Sequence, residues 1–121
     1  MEFYFVIHRL RQLAPKHPQW RRTHPFKVLF SKNPKALRTL KKQDVEKLTL
    51  TAYAGMTRED FRHEVQKWMA AWRHPQFKVG VAKMYYEPMR ELLEYLRGNV
   101  FKTFLVTGGS SDFARTLSEP L

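Results

Sequence analysis

The chain has no cysteine, and only 5 of its 121 residues are glycine. Without cysteine there is no disulfide scaffold, no thiolate metal site and no cysteine nucleophile. No apolar run approaches the length of a membrane span. The short Phe3–Ile7 run follows Glu2 and leads into His8-Arg9 without a small-residue cleavage site, so it does not read as a signal peptide. A cytoplasmic protein without a membrane partner is the expectation. Aspartate is scarce too: Asp44, Asp60 and Asp112 are the full set. No Walker loop, GxGxxG, HxH or HExxH occurs, which leaves no motif for a nucleotide, dinucleotide or zinc site.

What the chain does have is core-forming material and positive charge. Its hydrophobic fraction of 43% and aromatic fraction of 14% are those of a folded single domain. The net charge of +11 is unevenly placed. Residues 1–50 hold 12 Lys/Arg against 3 Asp/Glu, and residues 51–121 hold 10 against 8. This field favours anionic partners, but no nucleic-acid-binding motif accompanies it, so a solvated basic face with only non-specific nucleic-acid association is expected. The alternative is a small basic helical module that binds a protein or nucleic acid.

Phe3, Val6, Ile7, Leu10 and Leu13 lie at helical spacing, and Pro15 closes that segment. Residues 15–35 carry four prolines and three aromatics, which predicts an irregular connector of short helical turns pinned by rings. Ala36–Tyr53 accommodates one or two modest helices. Thr57 is a good N-cap with Asp60 three residues on, and Phe61, Val65, Trp68, Met69 and Trp72 repeat on one helical face before Pro75. A turn-rich piece spans 76–86. Pro88 then suits the first turn of a helix with a buried stripe of Met89, Leu92, Leu93 and Leu96, terminated at Gly98-Asn99. His63 and His74 are placed on the surface and at a helix end, and Asp60 and Asp112 at helix starts.

Phe101–Phe113, FKTFLVTGGSSDF, is the segment with the clearest chemistry. Phe104-Leu105-Val106 predicts a buried strand, Thr107-Gly108-Gly109 a tight turn, and Ser110, Ser111 and Asp112 a helix start. A hydroxyl beside backbone N–H groups at a helix N-terminus makes an anion site, most plainly for phosphate. A glycine turn between strand and helix also serves purely conformational ends. One strand alone cannot make a sheet, since its ladder groups would go unpaired.

The run Tyr86-Glu87-Pro88-Met89-Arg90-Glu91-Leu92-Leu93-Glu94-Tyr95-Leu96-Arg97, followed by Phe101 to Gly109, resembles the second-motif region of haloacid-dehalogenase-superfamily phosphohydrolases. The bacterial phosphoserine-phosphatase-like and acid-phosphatase-like group is the most similar. Leu13 to Trp20, the Ala54-Gly55-Met56-Thr57 turn with its helix, and Trp72 to Phe77 resemble the same group. The resemblance implies an α/β fold, a Rossmannoid core with a helical cap. Residues 1–84 would be linker helix and helical cap. Residues 85–121 would be a partial α/β core, so this chain should be mostly α-helical with at least one core strand.

In that family a DxDGT first motif supplies the aspartate nucleophile, and the second-motif hydroxyl holds the transferring phosphoryl group. A third-motif cation and acidic Mg²⁺ ligands complete the site, and the substrate is a phosphorylated small molecule. The one motif that maps here places Thr107, Gly108 and Gly109 as phosphate-binding residues. No catalytic aspartate and no metal ligand map onto this chain, since those motifs would lie before Met1 and after Leu121. The resemblance therefore implies a truncated phosphatase, inactive alone and binding no Mg²⁺ by itself. Gly98-Asn99-Val100 stands where an Asn-Gly turn is usual, and Ser110 where a third glycine is common, which predicts a distorted turn. The unpaired strand predicts self-association.

Overall fold

The computed structural model describes residues 1–119. It divides into two compact units, Met1–Met56 and Thr57–Leu121. The division expected at residues 84/85 is a different one from this partition.

In the first unit, α1 (Glu2–Leu13) buries Phe5, Val6, Ile7 and Leu10. These side chains share one face because the helix turns once every 3.6 residues. Pro15 follows, and the chain breaks into 3₁₀ turns at Ala14–Lys16, Pro18–Arg21, Phe26–Phe30 and Pro34–Thr39. Three of these turns carry proline in their first two positions, where a missing N–H costs nothing. Aromatic rings pin the connector as the sequence predicts. Trp20 stacks on Phe26 with centroids 4.7 Å apart, and His17 stacks on Trp20 at 4.4 Å. Arg11 Nη2 donates to the Leu29 carbonyl at 3.1 Å, fastening the connector to α1.

Helix α2 (Lys42–Tyr53) packs on α1 through the fully buried Leu48 and Ala52. Its last residue also returns to α1, where the Tyr53 hydroxyl donates to Glu2 Oε1 at 2.8 Å. At its N-terminus the Asp44 carboxylate accepts the Lys41 N–H at 2.8 Å and faces His24 Nε2 at 3.1 Å. The Lys41 N–H is the main reason that the Asp44 carboxyl is held below its ordinary range. Gly55, at φ +76°, supplies the left-handed residue that ends this unit.

In the second unit, α3 (Arg58–Ala71) begins with a complete capping box. Thr57 Oγ1 accepts the Asp60 N–H at 3.1 Å, and Asp60 Oδ2 accepts both the Thr57 hydroxyl and its N–H. Phe61, Val65 and Trp68 are buried, while Met69 and Trp72 of the same stripe are half-buried. They pack against α5 (Ser111–Ser118), where Phe113 meets Trp68 at 6.2 Å. Polar clasps border this contact: Arg62 and Gln66 hold Glu119 at 2.8 and 2.9 Å, and the Tyr85 hydroxyl donates to the Leu117 carbonyl at 2.7 Å.

Two expectations are corrected here. Among the described residues no strand forms, only a single antiparallel bridge between Arg73 and Gly80. Phe104, Leu105 and Val106, expected as a buried core strand, are irregular and 84%, 64% and 93% exposed. The reason is the one that makes a lone strand impossible: a strand is held by ladder bonds to a neighbour, and no neighbour is present. The second correction concerns α4 (Glu87–Gly98). Its apolar stripe is not buried, with Met89 51% and Leu92 43% exposed. Among the described residues no sheet covers it.

The end of α4 shows a feature that the sequence reading missed. Phe101 N–H donates to Leu96 O at 3.0 Å and Val100 N–H to Arg97 O at 3.2 Å, the paired bonds of a Schellman cap. Its left-handed position is filled by Val100 at φ +68°. That is a strained backbone for a β-branched residue.

Candidate functional site

The turn that precedes α5 grows out of local chemistry. Ser110, at φ −69° and ψ 139°, is the N-cap, and its Oγ accepts the Phe113 N–H at 3.3 Å. The predicted distortion from serine at this position does not arise, because Ser110 lies in the extended region open to any residue. Thr107 Oγ1 accepts the Gly109 N–H at 3.1 Å, closing a small hydroxyl-bridged turn. That bond uses the Gly109 donor, and the Thr107 hydroxyl, on an exposed residue, keeps its own donor capacity.

The amides of Gly108, Ser111 and Asp112 have no bonded partner among the described residues. The last two are orphan donors of the first helical turn. They and the Thr107 hydroxyl are donors within six consecutive residues, and donors of this kind suit an anion's oxygens. Gly108 is outside the left-handed region, and a Cβ built on it meets nothing within 4 Å. The fold itself therefore does not require glycine at 108. Negative charge on Asp112 opposes an incoming anion, and Arg58 Nε, at 3.8 Å from its carboxylate, offsets it. Sequence reading gave no sign of Arg58, because its link to Asp112 exists only through the packing of α3 on α5.

The structure thus places Thr107, Gly108 and Gly109 in one exposed turn at a helix start, with Gly109 engaged in holding it. Of the three aspartates, Asp112 is the one in this segment. Asp44 is taken up by Lys41 and His24, and Asp60 by Thr57. Among the described residues no three His, Asp or Glu side chains converge as metal ligands. The donor set around the turn, one arginine-paired carboxylate, does not fit the Mg²⁺ that such hydrolases use. His74 has a structural part: its Nδ1 accepts the N–H groups of Gln76 and Phe77, at 3.1 and 3.2 Å. His63 is exposed on α3. No helix among the described residues is long and apolar enough to cross a membrane.

Comparison with curated proteins finds no match. The family model of haloacid dehalogenase-like hydrolases matches residues 3–121, nearly the whole chain and with it the turn just described. Helix α4, the Thr107 turn and the N-capped α5 belong together in that match, and this chain is a member of the haloacid dehalogenase-like hydrolase family.

Proposed function

We propose that the chain derives from a phosphomonoester hydrolase and holds the phosphoryl group of a phosphorylated small molecule at Thr107, without the carboxylate that would attack it. In this reading residues 1–84 are linker helix and cap, residues 85–121 carry part of the α/β core, and the protein works in the cytoplasm. The observation that supports it most is the exposed donor set of Thr107 hydroxyl and Gly108, Ser111 and Asp112 amides, in a chain of this family. Hydrogen-bond donors aimed at equatorial phosphoryl oxygens stabilise charge, but bond formation to phosphorus needs a nucleophile. The engagement of Asp44 and Asp60 in helix caps, and of Asp112 with Arg58 at 3.8 Å, supports this reading.

Hydrolysis of an aryl phosphate, with Mg²⁺ supplied, tests the absence of turnover. None above background is expected. Activity that co-purifies with the chain and disappears in Thr107→Ala would overturn the reading and point to another nucleophile. Inorganic phosphate should shift the amide resonances of Gly108, Ser111 and Asp112, and Thr107→Val should weaken that response. Gly108→Ala should leave stability unchanged and reduce phosphate binding.

A second reading rests on charge. The excess of cations in residues 1–50 supports a basic module that binds a protein or nucleic acid. Nucleic-acid affinity should then fall steeply with added salt. Affinity that is flat in salt would rule out phosphate-backbone binding.

A further inference from the structure

A pocket with cations in its wall lies in the unit that carries α3 and α5, where a hairpin folds back on the end of α3. It is an open pocket of about 350 Å³, and Arg73, Lys78 and Lys83 contribute to its wall. No Asp or Glu lines it. None of the three cations forms an ion pair among the described residues, whereas Arg58, Arg62 and Arg90 of the same unit each face a carboxylate. Three like charges around one pocket repel one another, and the charge left over is available to an anion.

The hairpin holds the backbone of Lys78 and the guanidinium of Arg73 in place. His74 N–H donates to Val79 O at 2.9 Å, and Lys78 N–H returns to His74 O at 2.8 Å. Arg73 Nη1 donates to the carbonyls of Ala70 and Trp72, at 3.1 and 2.8 Å, which orients the guanidinium and leaves its other N–H groups to donate. The guanidinium lies against Gly80, where a Cβ would come within 3.2 Å of Nη1. Lys78 is held at φ +58°, a conformation costly for a side chain with a Cβ and one that the surrounding bonds must sustain. Met69, Val79 and Val81 give the pocket an apolar part.

We propose that this pocket binds an organic phosphomonoester, with the phosphate among Arg73, Lys78 and Lys83 and the carbon portion against Met69, Val79 and Val81. A dianion matches three uncompensated cations better than a monocarboxylate does, and the arginine fork suits tetrahedral oxyanions. None of the pocket's residues belongs to the Thr107 turn, so the proposal does not rest on the function proposed above.

Titration of the ¹⁵N-labelled full chain with phenyl phosphate at low ionic strength tests it. Saturable shifts are expected at the amides of Lys78, Gly80 and Val81. The double variant Lys78→Gln/Lys83→Gln should weaken binding by about tenfold or more, as expected when two charge-assisted contacts are lost. Lys78→Arg should retain it, and Lys16→Gln, in the other unit, should leave it unchanged. Benzoate, of similar size but with a single charge, should bind more weakly. Absence of saturable shifts, an unchanged affinity in the double variant, or benzoate binding as tightly as phenyl phosphate would each overturn the proposal. The dispersed amide spectrum of the remaining residues checks that each variant is folded.

Discussion

Val100 is the residue whose chemistry fits its position least. It takes the left-handed place in the cap of α4 at φ +68°, and it is almost fully exposed, so its side chain gains no burial in return. Val100→Gly should therefore stabilise the chain by about 1 kcal/mol, measured as a shifted urea midpoint. No change, or a loss, would show that the left-handed backbone carries no strain. Thr57 is the opposite case, a residue matched to its place. Its hydroxyl, then its backbone N–H, are the leading reasons that the Asp60 carboxyl is held below its ordinary range. A carboxyl depressed on folding contributes stability above its unfolded pKa, and that contribution is lost as pH falls through the folded value. Thr57→Ala should cost about 1 kcal/mol at neutral pH. It should also move the Asp60 carboxyl resonance titration upward, toward that of an unstructured aspartate.

At the scale of elements, the helices were legible where the apolar period is bounded by strong stops. Glu2–Leu13 ends against Pro15 as predicted, and the Thr57 box opens α3 as predicted. The connector was legible only as irregular, because prolines say where a helix cannot run and not which 3₁₀ turns replace it. Helix α5 is too short to stand alone, so its docking on α3 decides whether the Thr107 turn has a helix start behind it. Tyr85 is one clasp of that docking. Burial pushes its hydroxyl pKa up, and the protonated form donates to Leu117 O. A group raised on folding gives stability that is complete below its unfolded pKa and lost as pH rises through the folded one. Tyr85→Phe should cost about 1 kcal/mol at pH 7 and flatten the loss of stability at alkaline pH. An unchanged alkaline profile would show that Tyr85 does not titrate with folding.

At the scale of the molecule, apolar surface without cover dominates. Met89, Leu92 and Tyr95 on α4, and Phe101, Phe104, Leu105 and Val106 after it, are all exposed. Exposed apolar patches joined to a backbone with unpaired donors and acceptors are the usual ground for strand pairing between chains. Self-association through residues 101–106 is the expected consequence, and sedimentation should show mass rising with concentration. Replacing Phe104 and Val106 by lysine should reduce it, while a monomer at all concentrations would contradict it.

The sequence by itself determined what is local. It set the helical period of α1 and α3, the capping box at Thr57, the N-cap at Ser110 and the Thr-Gly-Gly turn, since each depends on bonds within a few residues. The family was legible for the same reason, through contiguous runs such as 86–97 and 101–109. Tertiary structure decided what depends on distant partners. It left the Phe104–Val106 run unpaired and the α4 stripe uncovered, because β propensity and amphipathicity describe faces that need a neighbour and do not supply one. It also set Arg58 against Asp112, through the packing of α3 on α5.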